Sequence, residues 1–409
     1  MRTLIKSIIT SIIVIFLLFD FCSGFKIVGG AVDPVCVSLE TVIESGFVNT
    51  NAPYYLEARN NPRVYAFNED TWYFITRDNF NQTYTTYTTN GGLTWTTNSS
   101  TQTSVYRILD LKVFTFDLIY FVTSEDPYCF FKTVNRGLTW EKINVGGPVN
   151  GAHILDQNTI IASYGSKYSI TFRKTTDGGL TWSSTVVDIF TGWTDYTVSV
   201  SDIYASDINK YYMIWQLSDP FAGFTYFRLY RTTNGGSTWT RISDDIIASD
   251  GTRPAYEDIW TDILITDGDT LFVFDSSRYG GSGRNSDLNL FESTDGGFTW
   301  VRYNIVPSCV YKGGYANWMS VAKYGNIIKV VYTQWIPPSC SAPPKLDLAT
   351  SDDGGVTWFI SNVDNPSNHG GANVGQVNSI SNYEKSYVIT YTVGSQIWAT
   401  GKSVYTKCK

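Results

Sequence analysis

Thr88-Thr-Asn-Gly-Gly-Leu-Thr-Trp95 is an eight-residue stretch that the chain uses six times. The later copies end at Trp140, Trp182, Trp239, Trp300 and Trp358. The shared pattern is Ser or Thr, any residue, Asp or Asn, any residue, Gly, any residue, Thr, Trp. Asn90, Asn135 and Asn234 hold the third place in three copies; Asp177, Asp295 and Asp353 hold it in the others. Both residue types accept hydrogen bonds from backbone N–H groups a few residues on, which closes an Asx-type turn. A carboxylate doing chemistry would have no equivalent in Asn, so the position reads as a turn-former. The glycines Gly92, Gly137, Gly179, Gly236, Gly297 and Gly355 suit a place that needs φ > 0. The Thr-Trp pair is expected to open a strand, and the Trp to bury a large apolar surface between neighbouring units.

Working outward, the Trp-to-Trp steps are 45, 42, 57, 61 and 58 residues. Around each turn the strands come in sets of four. The first set is read as Val64–Asn68, Trp72–Thr76, Thr83–Thr88 and Thr94–Thr97. The second is Tyr106–Leu111, Leu118–Thr123, Cys129–Thr133 and Thr139–Ile143. The third is His153–Leu155, Thr159–Tyr164, Ser169–Thr175 and Thr181–Val187. Units of this length, each a four-stranded meander, are β-propeller blades. Six turns give six blades. Gly375–Ile380, Tyr387–Val393 and Gln396–Thr400 add three strands, and Val35–Ile43 adds one, so both chain ends together make a seventh blade. Ring closure of this kind removes exposed sheet edges. The rival is a six-bladed ring with a C-terminal extension; seven is favoured. The fold class is all-β, one propeller domain over residues 25–409.

The six turns resemble the Asp-box, or BNR, repeat of sialidases and other β-propellers, including xyloglucanase-type glycoside hydrolases and sortilin-type receptors. The resemblance covers almost all of the chain after its N-terminal segment. It implies a propeller and leaves the activity open, because one fold hosts many functions.

Residues 1–24 read as a signal peptide: Arg2 and Lys6 are the basic region, Ile8 to Phe19 the apolar run, and Cys22-Ser23-Gly24 the small-residue end. The apolar run is short for a membrane span, and Tyr405-Thr-Lys-Cys-Lys409 lacks a lipid-anchor tail. A secreted protein, with no membrane insertion after cleavage, is expected. The chain has net charge −7; without Arg2, Lys6 and Asp20 it holds 28 basic and 36 acidic residues. That balance, with no basic run, argues against a nucleic-acid partner. Five cysteines remain after cleavage, and oxidising surroundings favour disulfides. The preferred pairs are Cys36–Cys408, closing the ring, and Cys309–Cys340, with Cys129 left over. Asn81 and Asn98 begin N-glycosylation sequons.

In propellers the repeated turn joins third and fourth strands, and function is expected on the opposite face, where long loops gather. Gly146-Gly-Pro-Val-Asn150, Gly313-Gly-Tyr-Ala-Asn317 and Gly370-Gly-Ala-Asn373 open blades there; Asp219–Thr225, Asp275–Asp287 and Gln334–Lys345 are long second-to-third loops. The richest constellation is Arg253-Pro-Ala-Tyr-Glu257-Asp258-Ile-Trp260. Glu257 is a candidate acid or base. Arg253, Arg278 and Arg284 are candidates to grip a sugar carboxylate through bidentate hydrogen bonds, and Tyr279, Trp318 and Trp335 to stack on sugar rings. The sialidase resemblance implies Arg63, in Asn61-Pro-Arg63-Val-Tyr65, as a substrate arginine and Asp78 as acid/base; the Ile-Pro that follows the arginine in sialidases is missing.

A hydrolase needs two facing carboxylates, from among Asp78, Asp126, Glu257 and Asp275. Asp110, Asp156 and Asp267 are read as turn residues on the other face. His153 and His369 are the only histidines, too few for a metal site without a clear carboxylate partner; no metal or cofactor is expected. Two functions follow. One is a monomeric propeller that engages an extracellular glycan or glycoprotein, as a glycoside hydrolase or as a lectin-like module. The alternative is an adhesion or receptor-like propeller that binds a protein or peptide.

Overall fold

Every repeated turn connects the third strand of an antiparallel meander to its fourth, and the meanders stand side by side as seven four-stranded blades. The computed structural model describes residues 38–44, 48–49, 63–77, 82–100, 108–124, 129–166, 168–189, 197–219, 224–249, 251, 264–276, 288–306, 315–335, 345–364, 374–383, 386–393 and 396–408. The chain enters with β1 (Ser38–Glu44) and β2 (Val48–Asn49). Blade 1 is β3 (Arg63–Ala66), β4 (Trp72–Arg77), β5 (Thr83–Thr88) and β6 (Thr96–Ser100). Blade 2 is β7 (Ile108–Val113), β8 (Ile119–Thr123), β9 (Cys129–Thr133) and β10 (Glu141–Asn144). Blade 3 is β11 (Gly151–Ile154), β12 (Ile160–Gly165), β13 (Ser169–Thr175) and β14 (Ser183–Ile189).

Blade 4 is β15 (Thr197–Ala205), β16 (Tyr211–Asp219), β17 (Phe224–Thr232) and β18 (Thr240–Ser243). Blade 5 is β19 (Leu264–Asp267), β20 (Thr270–Ser276), β21 (Leu288–Ser293) and β22 (Val301–Val306). Blade 6 is β23 (Tyr315–Tyr324), β24 (Ile327–Trp335), β25 (Lys345–Ser351) and β26 (Phe359–Asp364). Blade 7 begins with β27 (Val374–Tyr383), β28 (Ser386–Val393) and β29 (Gln396–Cys408). Its fourth strand is β1, antiparallel to β29 from Ser38↔Cys408 to Glu44↔Lys402, and β2 carries the same edge on through Val48↔Ala399. The ring is thus seven-bladed and closed by both ends of the chain. Cys36, Cys309 and Cys340 lie outside the described residues, and Cys408 is described by backbone alone. Cys129 is buried in β9.

The turns show why their residue types recur. In blade 1, Thr88 Oγ1 donates to Asn90 Oδ1 and accepts the Gly92 N–H, while Asn90 Oδ1 also accepts the Thr94 N–H. The Asn90 amide then donates to Thr94 Oγ1 at 2.8 Å. In blade 3, Asp177 takes the same place, but the Thr181 hydroxyl donates to its Oδ2 at 2.6 Å. Only the polarity of one hydrogen bond differs. Because Asn and Asp clamp the following Thr, the fourth strand starts after the Trp rather than at the Thr-Trp pair, for example at Ser183.

The glycine meets two demands. Gly236 has φ +91° and Gly297 φ +98°, a region closed to most side chains. A Cβ on Gly236 would lie 2.1 Å from Phe172 Cε1, and one on Gly297 2.1 Å from Leu229 Cδ2. Each partner sits on the third strand of the preceding blade, so each turn also buttresses its neighbour. The Trp follows the same logic. Trp140 packs with Tyr73 and Ile75 of blade 1 as well as with its own blade, and Trp182 with Tyr120, Val122 and Phe130 of blade 2. Such contacts hold the ring together by apolar burial, at roughly 25 cal/mol per Å².

On the same face lie the first-to-second-strand turns. Asp156 Oδ1 accepts the Asn158 and Thr159 N–H groups, as expected of a turn residue, and Asn68 and Asp207 do the same in blades 1 and 4. One backbone bond then ties the two turns of each of blades 1 to 6, for example Gly91 N to Asp70 O in blade 1, Gly178 N to Asn158 O in blade 3, and Gly296 N to Asp269 O in blade 5.

Candidate functional site

The first strands of blades 1, 2, 3, 4, 6 and 7 border a central cavity of about 500 Å³. Arg63 and Tyr65 come from β3, Asp110 and Lys112 from β7, His153 from β11, Asp202 and Tyr204 from β15, Lys323 from β23, and Ser379 and Ser381 from β27. In β7, Asp110 and Lys112 interrupt an otherwise apolar strand, Ile108-Leu-Asp-Leu-Lys-Val113. Apolar neighbours such as Leu111, Val113 and Val321 pack between blades and border the cavity as well.

Asp110 corrects the sequence reading. It is not a turn residue but sits inside β7; the turn begins later, where Thr115 Oγ1 accepts the Asp117 and Leu118 N–H groups. Asp110 Oδ1 accepts the Leu111 N–H at 2.8 Å, and its Oδ2 accepts the Ile154 N–H of blade 3 at 2.7 Å. The same Oδ2 lies 3.6 Å from His153 Nδ1, and the His153 ring lies tilted against Tyr204 with centroids 4.6 Å apart. Burial, and secondarily the Asp110 charge, push the Tyr65 hydroxyl up to about 12, so it remains a proton donor at neutral pH. Lys112 lies over the Tyr65 ring, 5.9 Å from its centroid. Arg63 Nε donates to Ile108 O at 3.5 Å, bridging blades 1 and 2.

Of the candidate substrate-contacting and catalytic residues, Arg63 alone has a described side chain, and it borders the cavity. Trp318 falls in β23 rather than in a loop, at a bulge where Asn317 pairs Thr333 and Met319 pairs Tyr332. Trp335 ends β24, opposite Tyr315; the side chains of both tryptophans lie outside the description. Asp78, Arg253, Glu257, Arg278, Tyr279 and Arg284 lie outside the described residues, as do Asp126, His369 and Asn81. Asp275 is described only as a backbone position in β20. Asn98 lies in β6, where its amide donates to Arg136 O at 2.9 Å.

One blade-opening loop is described. Asn150 Oδ1 accepts the Gly165 N–H at 3.0 Å and Arg173 Nη1 donates to Pro148 O at 2.9 Å, fixing the loop to blade 3. Asp110, Lys112, Asp202 and Lys323 were missed as cavity residues. The available signal was a charge inside the apolar first strand of a blade. Among the described residues, no group of three or more His, Cys, Asp or Glu could hold a metal ion.

Comparison with solved structures agrees with the architecture. The chain is similar to the GH74 xyloglucanase from Xanthomonas campestris (Xcc1752), with TM-score 0.52 and 12% identity over 86% of this chain and 53% of that one. It therefore spans about half the length of that enzyme. It is also similar to YCF48 from Cyanidioschyzon merolae, with TM-score 0.50 and 11% identity over 87% of this chain and 98% of that one. At such identities the likeness establishes the fold. No family model matches the sequence, and no curated protein does.

Proposed function

We propose that this propeller is a secreted protein of the Asp-box, sialidase-like kind that engages an extracellular glycan on the face opposite the repeated turns. The observation that carries the reading is the cavity lining. Arg63, Asp110 and Asp202 lie towards that face and offer donors and acceptors, and Tyr65, Tyr204 and His153 offer rings and polar groups deeper in the same cavity of about 500 Å³. Saccharides combine apolar ring faces with dense hydroxyls, so aromatic rings beside paired polar groups suit them. The GH74 enzyme shares the fold, which adds an analogy and no more. Arg63, Arg253, Arg278 and Arg284 are the proposed sugar-gripping arginines, and Tyr279, Trp318 and Trp335 the stacking platforms. Glu257 and Asp78 are the proposed acid–base pair of a glycoside hydrolase.

The test is a glycan array together with a hydrolysis screen on fluorogenic sugars, sialosides and plant-type oligosaccharides, run with wild type, Arg63→Ala, Glu257→Gln and Asp78→Asn. Glycan binding lost in Arg63→Ala, with the protein still folded, supports the reading. Turnover lost in Glu257→Gln or Asp78→Asn makes the protein a hydrolase. No binding and no turnover by wild type on any sugar overturns the glycan reading in favour of a protein or peptide ligand.

A further inference from the structure

The cavity is uneven in charge along the ring axis. Counted back from the turn-face end of each first strand, Lys112, His153 and Lys323 are all one residue from the end, while Asp110 and Asp202, with Arg63, are three residues from it. At about 3.3 Å per residue, this sets the carboxylates roughly 7 Å further from the turn face than the lysines. The cavity lining reaches that end, since it includes Phe67 just past β3 and Tyr324 and Tyr383, the last residues of β23 and β27.

The Asp110 carboxylate is anchored on the tier away from the lysines, although its charge still reaches Tyr65. Both its oxygens are engaged by backbone N–H groups, at 2.8 and 2.7 Å. Among the described residues no carboxylate lies within 4 Å of Lys112, whose contact is the ring of Tyr65. Lys323 donates to Gly325 O at 2.6 Å, near the turn-face end. An ammonium group in a partly enclosed, aromatic-walled space draws an anion more strongly than one in open water.

We propose that the turn-face end of the central cavity is a binding site for a small oxyanion, a carboxylate or a phosphate, held by the Lys112 ammonium with Tyr65 beside it. The site lies at the end of the cavity away from the loops assigned to glycan engagement; it shares Tyr65 with that reading and does not need those loops. A carboxylate and a phosphate present the same chemistry here: oxygens that accept from the ammonium and from a protonated phenol.

The experiment is calorimetric titration of the full-length mature chain with inorganic phosphate, with glucuronate and with glucose. Wild type, Lys112→Met, Lys112→Arg and Tyr65→Phe are compared at low and raised salt. Saturable binding of phosphate or glucuronate is expected, weaker by tenfold or more in Lys112→Met, retained within about threefold in Lys112→Arg, and falling as salt rises. Whichever anion binds tells a phosphate ligand from a carboxylate one. The proposal is overturned if neither anion saturates wild type, if glucose binds as well as glucuronate, or if Lys112→Met binds like wild type. Should Lys112→Met fold poorly, wild-type affinity that is indifferent to salt overturns it equally.

Discussion

Blades 1, 2 and 4 carry Asn in the repeated turn, and blades 3, 5 and 6 carry Asp. The two groups keep the same clamp: a Ser or Thr hydroxyl donates to Oδ1, and the same hydroxyl accepts the glycine N–H. They differ in the second oxygen or nitrogen. Asn135 and Asn234 donate from Nδ2 to Thr139 and Thr238, whereas Asp295 and Asp353 accept from Thr299 and Thr357. A threonine hydroxyl serves either way by rotating, which is why the chain tolerates both residues. What the difference changes is charge. Hydrogen bonds from the Thr181 hydroxyl and N–H hold the Asp177 carboxyl down to about 2, and Thr357 does the same for Asp353. For Asp295, burial pulls upward, but bonds from Thr299, Ser293 and Phe298 outweigh it and the value is again about 2.

The largest effect should come from what the two groups share. Gly236→Val in an Asn turn and Gly297→Val in an Asp turn force φ > 0 on a β-branched residue and drive its Cβ into the preceding blade. Each should cost about 3 kcal/mol or more, read from chemical denaturation, or abolish folding outright. Gly178→Ala, where the nearest atom to a new Cβ is 3.6 Å away, bears only the φ strain and should cost about 1 kcal/mol. Equal costs at Gly178 and Gly236 would show that the contact between blades adds nothing.

Next comes the shared hydroxyl. Ser293→Ala and Thr133→Val each orphan a buried glycine N–H, at Gly297 and Gly137, and should each lose about 1–2 kcal/mol in the same assay. A loss confined to the Asp turn would break the equivalence of the two groups.

The pH comparison separates them. A carboxylate whose folded value is near 2, against about 3.9 in the unfolded chain, contributes stability that is complete above roughly pH 4. That contribution is lost as pH falls towards 2, because the unfolded chain binds the proton first. Asp177→Asn, Asp295→Asn and Asp353→Asn together should flatten the acid limb of the melting-temperature curve between pH 4 and pH 2. Asn90→Asp should steepen it. The smallest effect is at pH 7, where Asp177→Asn alone should shift the melting temperature by no more than a couple of degrees.

The turn and the ring were legible in the sequence for a local reason: Asx clamps, glycines and interleaved Trp leave their pattern within eight residues. The seventh blade was legible too, through the three strands after Asp364 and the one before Val48 that needed a partner. Strand ends were less so. The fourth strands begin after the Trp because the Asn or Asp side chain reaches on to the Thr, a distance that strand propensity does not register. Asp110 was misplaced for a related reason. With the first strand of blade 2 ended at Leu111, it fell beside a turn; two more residues of strand, Lys112 and Val113, put it inside the ring. Which charges meet across the cavity depends on blades far apart in the chain, such as β7 and β23, and no local pattern encodes that meeting. Glu257 and Asp78 rest on sequence alone.

The central claim is that the repeated turns build the ring and leave ligand engagement to the axis and the opposite face. It is tested most directly by the Asp177→Asn/Asp295→Asn/Asp353→Asn variant, measured for ligand binding at pH 7 and for thermal unfolding from pH 7 down to pH 2. The account predicts wild-type binding of every ligand the parent protein binds, a melting temperature at pH 7 lowered by only about a few degrees, and a flattened acid limb. A folded variant that has lost binding at pH 7 would contradict it, because the turn carboxylates would then take part in function.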